Sequence, residues 1–318
     1  MSLFFCHSFY AKMIEGRWVM KFLLLYNPVS GRAQFKRHLN DIVKRFEADG
    51  LNLDVYESKA PKDLQNQASL EAKNYDVFLV GGGDGTVNEV INGIMKTKSR
   101  PRLGILPSGT ANDIAAILGI PRNVKKALEM FFHEQPVLMD INQMNDRYFV
   151  YTAAAGILTR VSYDIPRRRL KKYGYLAYVF EGMKDLLHDY RFPLTITYNE
   201  NKIENEYMLA LGMSSNRVGG MHLANFSSSK LNDGLFEFRL FQRRRFFRTF
   251  RLLSFFLRRG KRLKEDEHLV ASRFDIKTSP DVSWNADGEL SDHGDIVIEV
   301  FKEEIPVYAS PKVKKKYF

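Results

Sequence analysis

The sequence predicts an α/β fold, doubly wound in its first half and β-rich and antiparallel in its second. Three observations carry this. Between Lys21 and Asp113, short apolar runs alternate with segments of helical period. Each of those runs ends in a turn rich in glycine or proline. Beyond residue 136, strand-like runs follow one another across short turns.

Lys21–Tyr26 (KFLLLY) is apolar enough for a buried strand and is broken by Asn27-Pro28-Val29-Ser30-Gly31. From Arg32 to Ala48, Phe35, Leu39, Ile42, Val43 and Phe46 share one helical face. Leu51–Glu57 is a second strand and Pro61–Lys73 a second helix. Asp76–Val80 is a third strand, ended by Gly81–Gly85, and the helix after it aligns Val87, Val90, Ile91 and Ile94. Leu103–Leu106 is a fourth strand, and Pro107–Gly109 leads into another helix. Such repeats imply right-handed crossovers and a parallel sheet.

In the second half, strands are expected at Val137–Ile141, Tyr148–Ala153, Leu194–Asn199, Ile203–Leu211, Leu235–Phe241, Phe274–Lys277 and Ile296–Phe301. Helical stretches are expected near 173–188 and 243–259. The domain plan is an extension over residues 1–20, a first domain over 21–138 to which a segment at about 302–318 returns, and a β-rich domain over 139–301.

The 318 residues are enough for two cores, which tend to separate beyond about 250–300 residues. A single cysteine, Cys6, excludes an intramolecular disulfide framework and a Cys-cluster zinc site. No run reaches the roughly 18–20 apolar residues of a membrane span. Residues 1–19 place charge after their apolar start, unlike a signal peptide, and are read as an extension without a role in the fold. Met13 and Met20 are alternative starts, so whether 1–19 is native stays open.

With 48 Lys+Arg against 37 Asp+Glu the net charge is +11, which calls for an anionic partner, nucleic acid or an acidic membrane. Gln242–Lys264 holds ten basic residues and no acid, interleaved with Phe246, Phe247, Phe250, Leu253, Phe256 and Leu257. Arg160, Arg167, Arg168, Arg169, Lys171 and Lys172 add to this. The pattern is either a core stripe with a solvated face or a surface for anionic lipid. No nucleic-acid motif accompanies it.

Three turns stand at strand ends. Gly81-Gly82-Gly83-Asp84-Gly85-Thr86 opens a helix, where glycines admit close approach and free N–H groups suit phosphate. It is neither GxGxxG nor a P-loop. A carboxylate beside phosphates needs a cation between them, so Asp84 is a candidate Mg²⁺ contact. Pro107-Ser108-Gly109-Thr110-Ala111-Asn112-Asp113 and Asn27-Pro28-Val29-Ser30-Gly31-Arg32 are similar turns, each open to the plainer reading of a cap or loop. Two or more of them in one parallel sheet favour a ligand, because ligands bind outside the carboxyl ends of such strands.

Together with Asn88-Glu89, Leu231-Asn232-Asp233-Gly234-Leu235 and Asn285-x-Asp287-Gly288-Glu289, these turns resemble the diacylglycerol kinase catalytic domain family, which includes bacterial lipid kinases and sphingosine kinases. The resemblance covers roughly residues 21–310. It implies an N-terminal doubly wound domain that binds ATP with Mg²⁺ and a second, β-rich antiparallel domain that helps to form the lipid site. On this reading Gly82, Gly83, Asp84, Gly85, Thr86, Asn88 and Glu89 line the nucleotide, with Thr110. Asn27, Pro28, Ser30 and Gly31 belong to the same site, and Ser58 stands where the family often has a nucleotide-contacting threonine. Asp84 and Asp113 arrange the magnesium; Asp233, with the carbonyls of Lys230 and Leu235, holds a structural one. Asp287 and Glu289 are the catalytic acids, where a carboxylate takes the proton of the lipid hydroxyl. Asp287-Gly288 is also a strong hairpin signal.

The implied activity is transfer of the γ-phosphoryl group of ATP to a membrane lipid, with diacylglycerol the first expectation. The chain would then be cytoplasmic and peripheral to an anionic membrane, without a nucleic-acid partner. The sequence does not set oligomeric state, and a homodimer is kept as one arrangement. Rival readings are an enzyme resembling NAD kinases, which share GGDGT, and a non-catalytic membrane-binding protein.

Overall fold

The structure, a computed structural model, describes residues 12–14, 17–31, 35–157, 191–226, 229–242, 254–262 and 266–318. It divides into two units, Met1–Leu138 with Ile305–Lys316, and Met139–Glu304 with Tyr317–Phe318.

Unit 1 opens with β1 (Lys12–Ile14) and β2 (Arg17–Val19), paired antiparallel. Among the described residues these two strands of the expected extension pair only with each other. Next come β3 (Phe22–Tyr26), a 3₁₀ turn (Phe35–His38), α1 (Leu39–Ala48), β4 (Leu53–Glu57), α2 (Asp63–Glu71), β5 (Val77–Gly82) and α3 (Asp84–Met95). They are followed by β6 (Arg102–Pro107), α4 (Asp113–Ile117) and α5 (Val124–His133).

The strands run parallel in the order β6-β5-β3-β4. β3 and β5 are buried at every residue, as central parallel strands with both faces covered must be. Phe22, Phe46 and Phe131 pack edge to face or stacked at 5.1–6.3 Å. α5 was not expected from the sequence. Asn123 caps it by accepting the Lys126 N–H at 3.1 Å, and Val124, Ala127, Leu128 and Phe131 face inward.

Two sequence boundaries are corrected. Of the segment expected as one helix over 32–48, the described part, 35–48, is a 3₁₀ turn followed by α1, which has no side-chain N-cap. The helix after Pro107 starts only at Asp113, because the Asn112 side chain closes the preceding turn. Its Oδ1 accepts the Gly109 N–H and its Nδ2 donates to the Gly109 carbonyl, both at 2.8 Å.

Strand β7 (Pro136–Met144) is followed in unit 2 by β8 (Arg147–Phe149), β9 (Thr152–Gly156), β10 (Phe192–Tyr198), β11 (Asn201–Met213), β12 (Arg217–Val218) and β13 (Met221–His222). Then come β14 (Phe236–Gln242), β15 (Glu267–Ala271), β16 (Arg273–Thr278), β17 (Ser283–Ala286), β18 (Glu289–His293) and β19 (Ile296–Tyr308). The ladders that join β7 to β8, β9 to β11 and β17, β10 to β11 and β16, β11 to β14, β12 to β13, β14 to β15, β16 to β19 and β17 to β18 are antiparallel. Phe236, Phe238 and Leu240 point to one apolar cluster with Trp284 and Phe274, while Phe241 joins Leu209, Leu211 and Met213 on the other face.

Tyr148–Ala153, expected as one strand, is two. The break at Val150-Tyr151 arises because their N–H groups are committed to Asp287. The end of β19 returns to unit 1, where Val307 pairs parallel with Leu103. Helix α6 (Pro311–Tyr317) follows it. Ser310 N–H donates to the Leu118 carbonyl at 2.9 Å, and Lys314 meets Glu134 at 2.6 Å. The helix expected near 173–188 lies outside the described residues. Of that expected over 243–259, only Ser254–Leu257 is described as helical. No helix among the described residues is long and apolar enough to cross a membrane.

Candidate active site

Three turns of unit 1 meet at the carboxyl ends of β3, β5 and β6. Parallel pairing brings Tyr26 beside Gly81 and Gly82 beside Pro107. Asn27 N–H donates to the Gly81 carbonyl at 3.0 Å, and Ser108 N–H to the Gly82 carbonyl at 2.8 Å. The turns then touch through glycines. A Cβ on Gly109 would stand 2.5 Å from Gly83 Cα, and one on Gly83 would stand 3.0 Å from Gly109 Cα and 3.5 Å from Ser30 Oγ. Gly31 adopts a left-handed φ of 56°, and any side chain there would overlap the Ser108 carbonyl.

Gly83 is the N-cap of α3, so the N–H groups of Asp84, Gly85 and Thr86 form its first turn, the positive end of the helix dipole. Asp84 is part-buried and its Oδ1 accepts the Ile114 N–H at 2.8 Å. Burial raises its pKa above the usual carboxylate range, the Asp113 charge adds to this, and the backbone N–H groups of Ile114 and Asp113 oppose it. Asp113 is fully buried at the start of α4, and Thr110 is exposed on the turn before it.

Other residues anticipated for this site support its frame. Asn27 accepts the Val29 N–H at 3.0 Å and so closes its own turn with Pro28. Asn88 is buried and accepts from Asn92 Nδ2 at 2.6 Å inside α3; Glu89 is part-buried. Ser58 follows β4; its N–H donates to the Tyr26 carbonyl at 2.9 Å and its hydroxyl to the Ala60 carbonyl at 3.2 Å.

Unit 2 holds the other candidates. Asp287 and Gly288, with φ of 49° and 86°, form the left-handed pair of the turn between β17 and β18. The hairpin reading and the presentation of a carboxylate thus coexist. The Asp287 side chain is buried and accepts the Val150 N–H at 2.7 Å on Oδ2, and the Tyr151 and Thr152 N–H groups at 2.9 and 3.1 Å on Oδ1. Asn285 spans the turn by accepting the Gly288 N–H at 2.9 Å. Glu289 is exposed and pairs with Arg147 at 2.5 Å, and Arg147 also reaches the Leu290 carbonyl at 3.1 Å.

Around Asp233 the structure shows amide contacts. Asp233 accepts the Lys230 N–H at 2.9 Å and the Leu235 N–H at 3.0 Å. The Lys230 ammonium is turned to the Phe318 carbonyl at 3.0 Å. No group of three or more His, Cys, Asp or Glu residues suited to a metal occurs among the described residues.

The sequence reading missed Asp140 and Asn142. Asp140 is buried and accepts the Gly234 and Glu303 N–H groups at 2.6 and 2.7 Å, thereby tying the Asp233 loop to β7 and β19. Burial raises its pKa, with the Asp233 charge adding to the rise. Asn142 is fully buried; its Nδ2 donates to the Val150 carbonyl at 2.8 Å and to Ser214 Oγ at 2.9 Å. The available signal was a polar side chain within the apolar strand Met139–Met144.

Comparison with known proteins completes the picture. The diacylglycerol kinase catalytic domain matches residues 21–144. A diacylglycerol kinase of Bacillus subtilis (strain 168) is 35% identical over 271 residues, 84% of this chain and 88% of that protein. One from Staphylococcus aureus (strain bovine RF122 / ET3-1) is 34% identical over 274 residues, 84% of this chain and 85% of its own length. The crystal structure of a diacylglycerol kinase from Bacillus anthracis strain Sterne superposes with a TM-score of 0.76 at 25% identity, covering 92% of this chain and 98% of that one. Identity of this extent over most of both chains, with the same two-domain fold, shows that the protein belongs to the diacylglycerol kinase family.

Proposed function

We propose that the protein is an ATP- and Mg²⁺-dependent kinase that phosphorylates the hydroxyl of diacylglycerol at a membrane surface. Family membership makes it a lipid kinase and sets aside the NAD kinase and non-catalytic readings. The observation that carries the finer reading is the meeting of the three turns over Gly31, Gly83 and Gly109. Backbone replaces side chain there, which is what a phosphate chain needs to approach a helix N-terminus.

In this reading the first turn of α3 and Ser30 hold the nucleotide phosphates, and Thr110 and Ser58 border them. Asp84 and Asp113 are the residues suited to a magnesium ion. They form a pair of carboxylates in a shielded place, unfavourable without a cation, and their oxygens match a hard ion. The ion would neutralise charge on the phosphates. Asp233 with Lys230 and Leu235 is kept as a second, structural magnesium site, to which its loop would contribute oxygens.

Phosphoryl transfer asks the protein mainly for positioning and for one proton acceptor. We assign that acceptor to Asp287, whose three N–H donors fix both carboxylate oxygens. Glu289 on the same hairpin, held by Arg147, orients the turn.

The experiment is radiolabelled ATP with the purified chain and a panel of lipids in mixed micelles: diacylglycerol, a sphingoid base, phosphatidylglycerol and a polyprenol. Label should enter diacylglycerol, and chelation of divalent cations should stop it. Transfer to another of these lipids in preference would replace the acceptor, and transfer in the presence of chelator would remove the metal.

A further inference from the structure

We infer that the turn at 254–262 is a membrane-docking edge for an anionic lipid bilayer, with Leu257 as its apolar anchor. This rests on the proposal that the acceptor is a membrane lipid, since such an enzyme must meet a bilayer.

The turn is fixed from within. Phe255 is buried and packs edge to face on Phe241 at 4.8 Å and on Phe226 at 6.3 Å. Gly260, with φ of 81°, lies against Leu223 and Phe226, where a Cβ would stand 3.1 Å away. Gly260 N–H donates to the Phe255 carbonyl at 2.9 Å. Asn225 donates its N–H to the Arg259 carbonyl at 2.9 Å and its Nδ2 to the Arg258 carbonyl at 3.1 Å.

This scaffold turns five side chains outward. Leu257 is 74% exposed. Arg258, Arg259, Lys261 and Arg262 are exposed, and none has an ion-pair partner among the described residues. A single exposed leucine is ordinary on a protein surface and by itself says nothing. Four cations within the six residues from Leu257 to Arg262, with no acid among them and no ion pair among the described residues, attract an anionic partner. Nucleic acid supplies anions but no apolar phase for Leu257. An anionic bilayer supplies both, phosphate groups at the interface and acyl chains beneath it.

The test is co-sedimentation of the full-length protein with phosphatidylglycerol or phosphatidylcholine vesicles, at low and at high salt. Wild type should bind phosphatidylglycerol vesicles preferentially and lose them in high salt. Arg258→Glu with Arg259→Glu should weaken that binding at least about 20-fold, from the share of each basic residue near such a surface. Leu257→Asp should weaken it further, whereas Leu257→Trp should bind and shift its fluorescence to the blue on adding vesicles. Undiminished binding by the arginine pair, or Leu257→Trp emission that ignores vesicles, overturns the inference. So does tighter binding to duplex DNA than to vesicles that survives Leu257→Asp. Because these readouts are binding, they stand apart from the kinase reading. Turnover of a short-chain soluble diacylglycerol, expected unchanged in all variants, tests that reading alone.

Discussion

The two units build their candidate sites from opposite materials. In unit 1 side chains are removed, so that Gly83 and Gly109 let two turns approach each other at the N-terminus of a helix. In unit 2 a single side chain is fixed, with three amides of one neighbouring segment holding the Asp287 carboxylate. The first site should therefore fail when an atom is added, and the second when one oxygen is exchanged.

The largest effects test the carboxylates in each unit. Asp84→Asn should abolish turnover in the lipid assay while the protein stays folded. Its stability should move the other way. The Asp84 pKa is raised in the folded protein, so its favourable contribution is present in acid and is lost as pH rises through the raised pKa. At neutral pH the ionised group is a burden that asparagine lifts. Thermal melts should show Asp84→Asn above wild type at pH 7, with the gap closing in acid. A variant melting below wild type at pH 7 would contradict that account.

Asp287→Asn should lower kcat by at least about 10²–10⁴-fold with nucleotide affinity little changed. It should also lose stability, because the amide nitrogen must face one of the three N–H donors, a buried mismatch of about 1–3 kcal/mol. Collapse of ATP binding with a normal rate per bound nucleotide would place Asp287 with the nucleotide instead.

Adding one methyl group in unit 1 comes next. Gly109→Ala places a Cβ 2.5 Å from Gly83 Cα and must part the two turns. A displacement of this order can cost about 10²-fold in kcat/KM. Calorimetric titration with a non-hydrolysable ATP analogue should show the loss as weaker binding; unchanged affinity would remove the glycine contact from the nucleotide site. Asn142→Ala frees the Val150 carbonyl and Ser214 and should cost about 1–3 kcal/mol in denaturant melts. Its kcat should fall less than that of Asp287→Asn, since the amides that hold Asp287 are loosened and not lost. The smallest effect belongs to Arg147→Ala, which removes an exposed pair with Glu289 and should cost no more than about 1 kcal/mol.

Much of this was legible before the structure. β3 and β5 announced themselves as unbroken apolar runs, and the helix after Gly83 as Val87, Val90, Ile91 and Ile94 on one face. Their alternation was enough for the doubly wound half, and the short turns of the second half for its antiparallel strands. β17 and β18 were not legible as strands, because polar residues and the turn dominate Ser283–His293. α5 has a regular apolar face in Val124, Ala127, Leu128 and Phe131, but no sequence feature links it to the sheet.

By itself the sequence determined that strands and helices alternate around the glycine turns, because hydrophobic period and backbone freedom are local properties. It also determined the family, through residue types at fixed spacings. Only the tertiary structure decided which atoms meet. Asn142 finds Ser214 across 72 residues and Asp287 finds Val150 across 137. A buried polar group is tolerated only when such a partner is in reach, and that partner is set by strand register and by the packing of the core.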